Sequence, residues 1–141
     1  MRYLLDTNIC IYSLNERPAE VVERFRATSP QDVALSVVTL LELRQGAEKS
    51  RSPAKAHRKL DLFLGPLRVL PFDEEAALRT ARVRAALERA GNPIGDLDSL
   101  IAGHALACRL ILVTNNEREF ARVKGLRLEN WVSRPSPSTS R

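Results

Sequence analysis

Cysteine and histidine are scarce in this chain, with two of each among 141 residues. Cys10 and Cys108 stand far apart without the close paired spacing of a zinc site, and two thiols make no disulfide framework. Both are expected to be reduced and partly buried. His57 falls in a basic helix and reads as exposed, whereas His104 reads as a packed, hydrogen-bonded residue. Neither is needed for chemistry. Long apolar runs are also missing, and none approaches the roughly 20 residues that span a bilayer. The apolar opening, Arg2-Tyr-Leu-Leu5, is cut short by Asp6 and Asn8, which does not fit a secretory signal. The expectation is a cytoplasmic protein without membrane association.

What is present suits one globular domain. Apolar residues make up 44% and charged residues 28%, enough of each for a single core and a solvated surface. The domain is expected over residues 1–132. The segment 133–141, with its Pro, Ser and Arg, has nothing to bury and is expected to be a disordered tail. Lys and Arg outnumber Asp and Glu by 22 to 17, a formal net charge of +5. The basic residues gather in two stretches, Arg44 to Lys59 and Arg79 to Arg89. These are either solvated helix faces or a surface for a polyanionic partner, and the distribution favours the partner.

Strand and helix signals alternate along the chain. Residues 2–5, Val33–Val38, Leu67–Phe72, Leu110–Val113 and Leu126–Trp131 read as strands. Helices are expected from Pro18 to Ala27, from an N-cap at Thr39 to Lys49, from Ser52-Pro53 to Gly65, and from a cap at Asp73 to Gly91. Two more are expected, one beginning around Asp96 and a short one over 117–122. This alternation implies an α/β fold with a mostly parallel sheet covered on both faces.

In such a sheet, ligands collect at the carboxyl ends of the strands. Asp6, Asn115 and Asn116 stand at strand ends, Glu42 follows the second strand, and Asp96 and Asp98 open a helix near the same edge. Acids from separate segments could point into one crevice, and clustered carboxylates repel unless a cation neutralises them. Magnesium suits an all-oxygen set, activates water and neutralises charge on a phosphodiester. Each acid has a second reading. Thr39-Leu-Leu-Glu42 matches a capping box, Asp96 could be only an N-cap, and Asp6 could bond backbone amides in the Asp6-Thr-Asn turn.

Four blocks carry a resemblance. Leu5-Asp-Thr-Asn-Ile-Cys-Ile-Tyr12, Ser36-Val-Val-Thr-Leu-Leu-Glu-Leu43 with Gly46-Ala-Glu-Lys49, Ile94-Gly-Asp-Leu-Asp98 with Leu100-Ile-Ala-Gly-His-Ala105, and Val113-Thr-Asn-Asn-Glu-Arg-Glu-Phe120 occur in that order. Together with Gly125-Leu-Arg-Leu-Glu-Asn-Trp131, they resemble the PIN-domain ribonucleases, specifically the VapC toxins of type II toxin–antitoxin systems. The resemblance implies a three-layer α/β/α fold and a magnesium-dependent endoribonuclease, with manganese as a substitute. It makes Asp6 and Asp98 the metal ligands and Glu42 a further catalytic acid. Thr7, Asn8 and Thr114 become supporting residues. Many members carry an aspartate where Asn116 stands; here the fourth position is open between Glu119, the nominated compensating acid, and Asn116, which could hold a metal-bound water.

The same resemblance implies an RNA substrate, the anticodon stem-loop of initiator tRNA in similar members. It also implies a cognate VapB antitoxin reaching across the crevice, where an arginine would displace metal, and a homodimer joining two basic surfaces. Two other functions remain: a metal-dependent phosphohydrolase of small phosphoesters, and a catalytically silent RNA- or protein-binding module. The basic exterior and the absence of an Asp-x-Asp motif after the first strand disfavour the former. Intact Asp6, Glu42 and Asp98 disfavour the latter.

Overall fold

A computed structural model describes residues 1–132; the expected tail, 133–141, lies outside the described residues. Five strands form one sheet in the order β3-β2-β1-β4-β5. They are β1 (Tyr3–Leu5), β2 (Val33–Ser36), β3 (Arg68–Leu70), β4 (Ile111–Val113) and β5 (Leu128–Glu129). Every pairing is parallel; Tyr3 faces Val33 on one side and Ile111 on the other.

Successive side chains of a strand point to opposite faces, so short apolar strands feed two cores. Tyr3 and Leu5 join Val33, Leu35 and Val113 on one face, whereas Leu4 joins Ala34 and Leu112 on the other. The first face is covered by α1 (Thr7–Leu14), α2 (Ala19–Ala27), α3 (Val37–Glu48) and α4 (Pro53–Leu64), through residues such as Ile9, Val21, Leu43 and Leu60. The second is covered by α5 (Glu74–Arg89) and α6 (Asp96–Cys108), through Val83, Leu87, Ile101 and Ala105. A single turn, α7 (Glu117–Phe120), follows β4 and inserts Phe120 into the second core.

Helices α5 and α6 touch unusually closely at Gly103. A Cβ there would lie 2.1 Å from Thr80 Oγ1 and 2.6 Å from the Thr80 backbone nitrogen, so only glycine permits the approach. The Thr80 hydroxyl is turned back onto Ala76 O at 2.8 Å. This contact limits how far α6, which carries Asp98 in its first turn, stands from α5.

Several local expectations need correction. Helix α1 was not expected, because Ile9, Cys10, Ile11 and Tyr12 give no amphipathic stripe; it forms because Asp6 caps it, accepting from Ile9 N–H at 2.9 Å. Strand β2 ends at Ser36, two residues early, because the Ser36 hydroxyl accepts from Val38 N–H and starts α3 there. Thr39 is therefore inside the helix, fully buried, and is not its cap. Asp96 is not a cap either; Gly95 holds that position. Strands β3 and β5 and helix α7 are shorter than expected at their ends. Cys10 is buried as expected, but Cys108 is exposed at the end of α6; both are free thiols.

Candidate active site

The chain builds outward from β1. It runs through β2 and β3 on one side, then returns by α5 and α6 to β4 and β5 on the other. The carboxyl ends of β1 and β4 therefore flank the point where the winding reverses, which is where such sheets bind ligands.

Asp6 leaves β1 at this point. Its backbone N–H donates to Val113 O at 3.0 Å, its Oδ1 caps α1, and its side chain is 7% exposed. Burial pushes the carboxyl above its ordinary pKa, and the charge of Glu42 adds to the rise. The Thr114 hydroxyl and the N–H groups of Ile9 and Asn8 hold it back down. Thr114, fully buried just after β4, also accepts from Asn116 N–H at 2.9 Å. Capping and site chemistry thus coexist at Asp6. Asn8 contributes a backbone N–H, and its residue is otherwise exposed.

Glu42 arrives from α3. Thr7 Oγ1 donates to Glu42 Oε1 in a short hydrogen bond, and Thr7 Oγ1 also lies 3.4 Å from Thr39 Oγ1. The capping-box alternative therefore fails on both counts, since Ser36 is the cap and Glu42 is engaged with α1.

Asp98 and Glu119 form the other half. The Asp98 pKa is raised to about 6, first by burial, then by the charge and hydrogen bond of Glu119, with smaller contributions from Asp6 and Glu42. Glu119 is held below its ordinary value. Its Oε1 accepts from Gly95 N–H and its Oε2 from Asn116 Nδ2, each at 2.9 Å. Within the hydrogen-bonded pair the two pKa values are pushed apart, Asp98 upward and Glu119 downward.

Asp6, Glu42, Asp98 and Glu119 thus interact although they come from four separate segments. Asp96 stays out, with its side chain 96% exposed and only a loose 4.0 Å approach to Arg84. Asn115 is paired instead with Asn130, at 3.1 Å. His104 is structural: Nδ1 lies 2.8 Å from Ser36 Oγ, its ring packs edge-on against Phe72, and burial lowers its pKa. His57 is half-buried rather than exposed, bridging Arg44 at 3.0 Å and Glu48 at 2.6 Å.

The donor set fits a hard divalent cation, since all four groups are carboxylates and two are held above their ordinary pKa by burial and mutual repulsion. Among the described residues no three His, Cys, Asp or Glu side chains close into a ready-made cage. The larger couplings run between Asp98 and Glu119 and between Asp6 and Glu42, and the charges of Asp6 and Glu42 also act on Asp98.

Comparison with known proteins agrees with this architecture. The PIN domain family matches residues 3–126, and the chain is 47% identical over 131 residues to a Shigella flexneri protein named tRNA(fMet)-specific endonuclease VapC, covering 93% of this chain and 98% of the relative. The chain belongs to the PIN-domain family, among its VapC ribonucleases. This PIN domain superposes on the DNA-bound VapBC complex of Salmonella typhimurium with a TM-score of 0.87 and 42% identity, over 93% of this chain and 98% of that one. It matches VapBC2 of Rickettsia felis, bound to a promoter DNA fragment, with a TM-score of 0.86 and 38% identity, over 93% and 99% of the two chains. PIN-domain ribonucleases depend on divalent metal ions. Among the described residues of this member, no helix is long and apolar enough to cross a membrane.

Proposed function

We propose that this PIN domain, spanning residues 1–132, is the toxin of a VapBC-type pair and cleaves RNA with magnesium, which manganese can replace. The observation that carries the reading is the electrostatic coupling of Asp6, Glu42, Asp98 and Glu119 at the switch point of the sheet. A bound magnesium ion supplies activation of water and neutralises charge on the phosphodiester.

Asp6 and Asp98 are the residues that hold the ion, because they are the two whose ionised forms most need a positive neighbour. Glu42, steadied by Thr7, and Glu119, steadied by Gly95 and Asn116, orient water at the scissile phosphate. Glu119 remains ionised and can accept a proton there. Asn116 acts through Glu119, to which its amide donates, and this supports the acid rather than the amide as the fourth catalytic group. Thr114 and Asn8 steady Asp6.

The Shigella relative's name supports initiator tRNA as substrate, and the cut is placed in its anticodon stem-loop on the resemblance to similar VapC toxins alone. The VapBC structures support a VapB antitoxin as partner. A cytoplasmic location follows from such a substrate.

The test is incubation of the purified protein with total tRNA, with magnesium and with chelator, beside Asp6→Ala and Asp98→Ala variants. Cleavage that needs metal and disappears in both variants is expected. Metal-independent cutting, or variants as active as wild type, would sink the assignment. Mapping a cut to another RNA would remove the narrower claim about initiator tRNA.

A further inference from the structure

A second feature lies outside the acidic centre. A groove of about 440 Å³ runs between α5 and the segment that follows α7. Val83 and Leu106 form part of its apolar floor, and Arg79, Arg82, Arg122 and Lys124 line it. Arg79 engages Glu75 through its Nε, at 2.9 Å. Among the described residues, neither Arg82 nor Lys124 has an acidic partner. Two free cations beside two more, over an aliphatic floor, form a surface whose charge lacks a counterpart within the protein.

The groove is joined to the acidic centre. Arg122 Nη1 donates to Pro93 O at 3.2 Å, and Gly95, two residues on, donates its N–H to Glu119. The charge of Arg122 also contributes to keeping Glu119 ionised. One short segment, 93–95, is therefore gripped from the groove on one side and from the site on the other.

A polyanionic substrate meets an electrostatic problem at this site. The centre consists of carboxylates, and phosphates flanking the scissile one are repelled by whatever charge a metal leaves uncompensated. Cations next to the centre offset that repulsion. We propose that the α5–α7 groove binds the RNA strand as it leaves the acidic centre, with phosphates on Arg82, Lys124 and Arg79 and the sugar-base side over Val83 and Leu106. The inference rests on the ribonuclease reading above and identifies the surface that holds RNA beyond the cut. An acidic polypeptide is the competing occupant, but it gives no reason for a groove cation, Arg122, to grip the segment that holds Glu119.

The test uses Arg82→Glu/Lys124→Glu and the milder Arg82→Ala/Lys124→Ala, both confined to exposed residues away from the acids. Binding of a fluorescent single-stranded RNA of about 20 nucleotides is measured in chelator, across a salt series. The charge-reversed variant is expected to bind at least about tenfold more weakly, and its log K against log salt slope to fall by about 1.4, at about 0.7 per phosphate contact. The alanine pair is expected to lie between it and wild type.

In magnesium, the charge reversal is expected to raise KM for the same RNA with kcat little changed. Hydrolysis of a dinucleotide, too short to reach the groove, stays at the wild-type rate. Unchanged RNA affinity and salt slope overturn the proposal, as does equal loss on RNA and dinucleotide. Loss of polyglutamate binding with RNA binding intact gives the groove to an acidic protein and also overturns it. Failure of the wild type to cut any RNA refutes the ribonuclease reading, whereas the binding series in chelator tests the groove without cleavage.

Discussion

Asn116 Nδ2 donates to Glu119 Oε2 at 2.9 Å, while Gly95 N–H holds the other oxygen of the same carboxylate at the same distance. An amide at position 116 thus fixes an acid three residues later. Asn116→Ala removes one of two clamps and, by our reading, lowers single-turnover cleavage about tenfold, the size of one lost hydrogen bond to a charged group. Carboxyl-resolved NMR of the metal-free protein is expected to show the Glu119 pKa rising towards its ordinary value. A variant with wild-type rate and an unchanged Glu119 titration argues against this role.

Asp98 makes the metal-free protein sensitive to alkali. Its folded pKa, about 6, lies above the ordinary 3.8, so the folded state binds its proton more tightly than the unfolded state. The stabilisation is complete below about pH 3.8 and is lost as pH rises through about 6. Asp6 shifts in the same direction. Denaturation midpoints in chelator are expected to fall as pH rises from about 4 to about 6, the window between the ordinary and the folded Asp98 pKa. Magnesium restores the loss above pH 6, where the acids are ionised, and does little at pH 4.5. A midpoint that climbs steadily over this range without metal contradicts the shift.

Thr7 is expected to matter to Glu42 more than to the fold. Thr7→Val keeps the shape and removes the hydroxyl that donates to Glu42. The rate is expected to drop roughly tenfold, with stability changed by about 1 kcal/mol or less. Comparison with Thr7→Ser, which keeps the donor, checks the assignment. A serine variant as slow as the valine variant removes the hydroxyl from the explanation.

Gly103→Ala tests the placement of α6. The added methyl meets the Thr80 hydroxyl and backbone nitrogen, so the helices must separate. A loss of about 1–3 kcal/mol is expected in chemical denaturation. Thr80→Ala removes the nearest atom but leaves the backbone contact, so the double variant is expected to recover only part of the loss. Full stability in the single variant means that α5 and α6 are not in the contact described.

The sequence carried the layered architecture in its alternating strand and helix patterns, and the short apolar strands were legible for a simple reason. Tyr3-Leu-Leu5 needs both faces covered, and only a parallel sheet between helices does that. Asp6 was also readable, because an acid that ends a buried strand is costly without partners. The likeness of four blocks to known ribonucleases pointed to Asp98, Glu42 and Glu119, which local pattern alone left level with Asp96.

The tertiary structure separated residues that the sequence could not rank. Asp96 and Asp98 stand two positions apart on α6, yet helical rotation leaves one side chain in solvent and turns the other towards Glu119. Thr39 and Glu42 have the spacing of a capping box, but Ser36 takes the cap and frees Glu42 to meet Thr7, 35 residues away. The fourth acid was open between Asn116 and Glu119 because their hydrogen bond is a matter of orientation. Residue types and order determined that acids would gather at the switch point of a parallel sheet. Which acids do so depends on helix phase, on the Gly103 contact and on hydrogen bonds across the fold, and none of these is encoded by a local pattern.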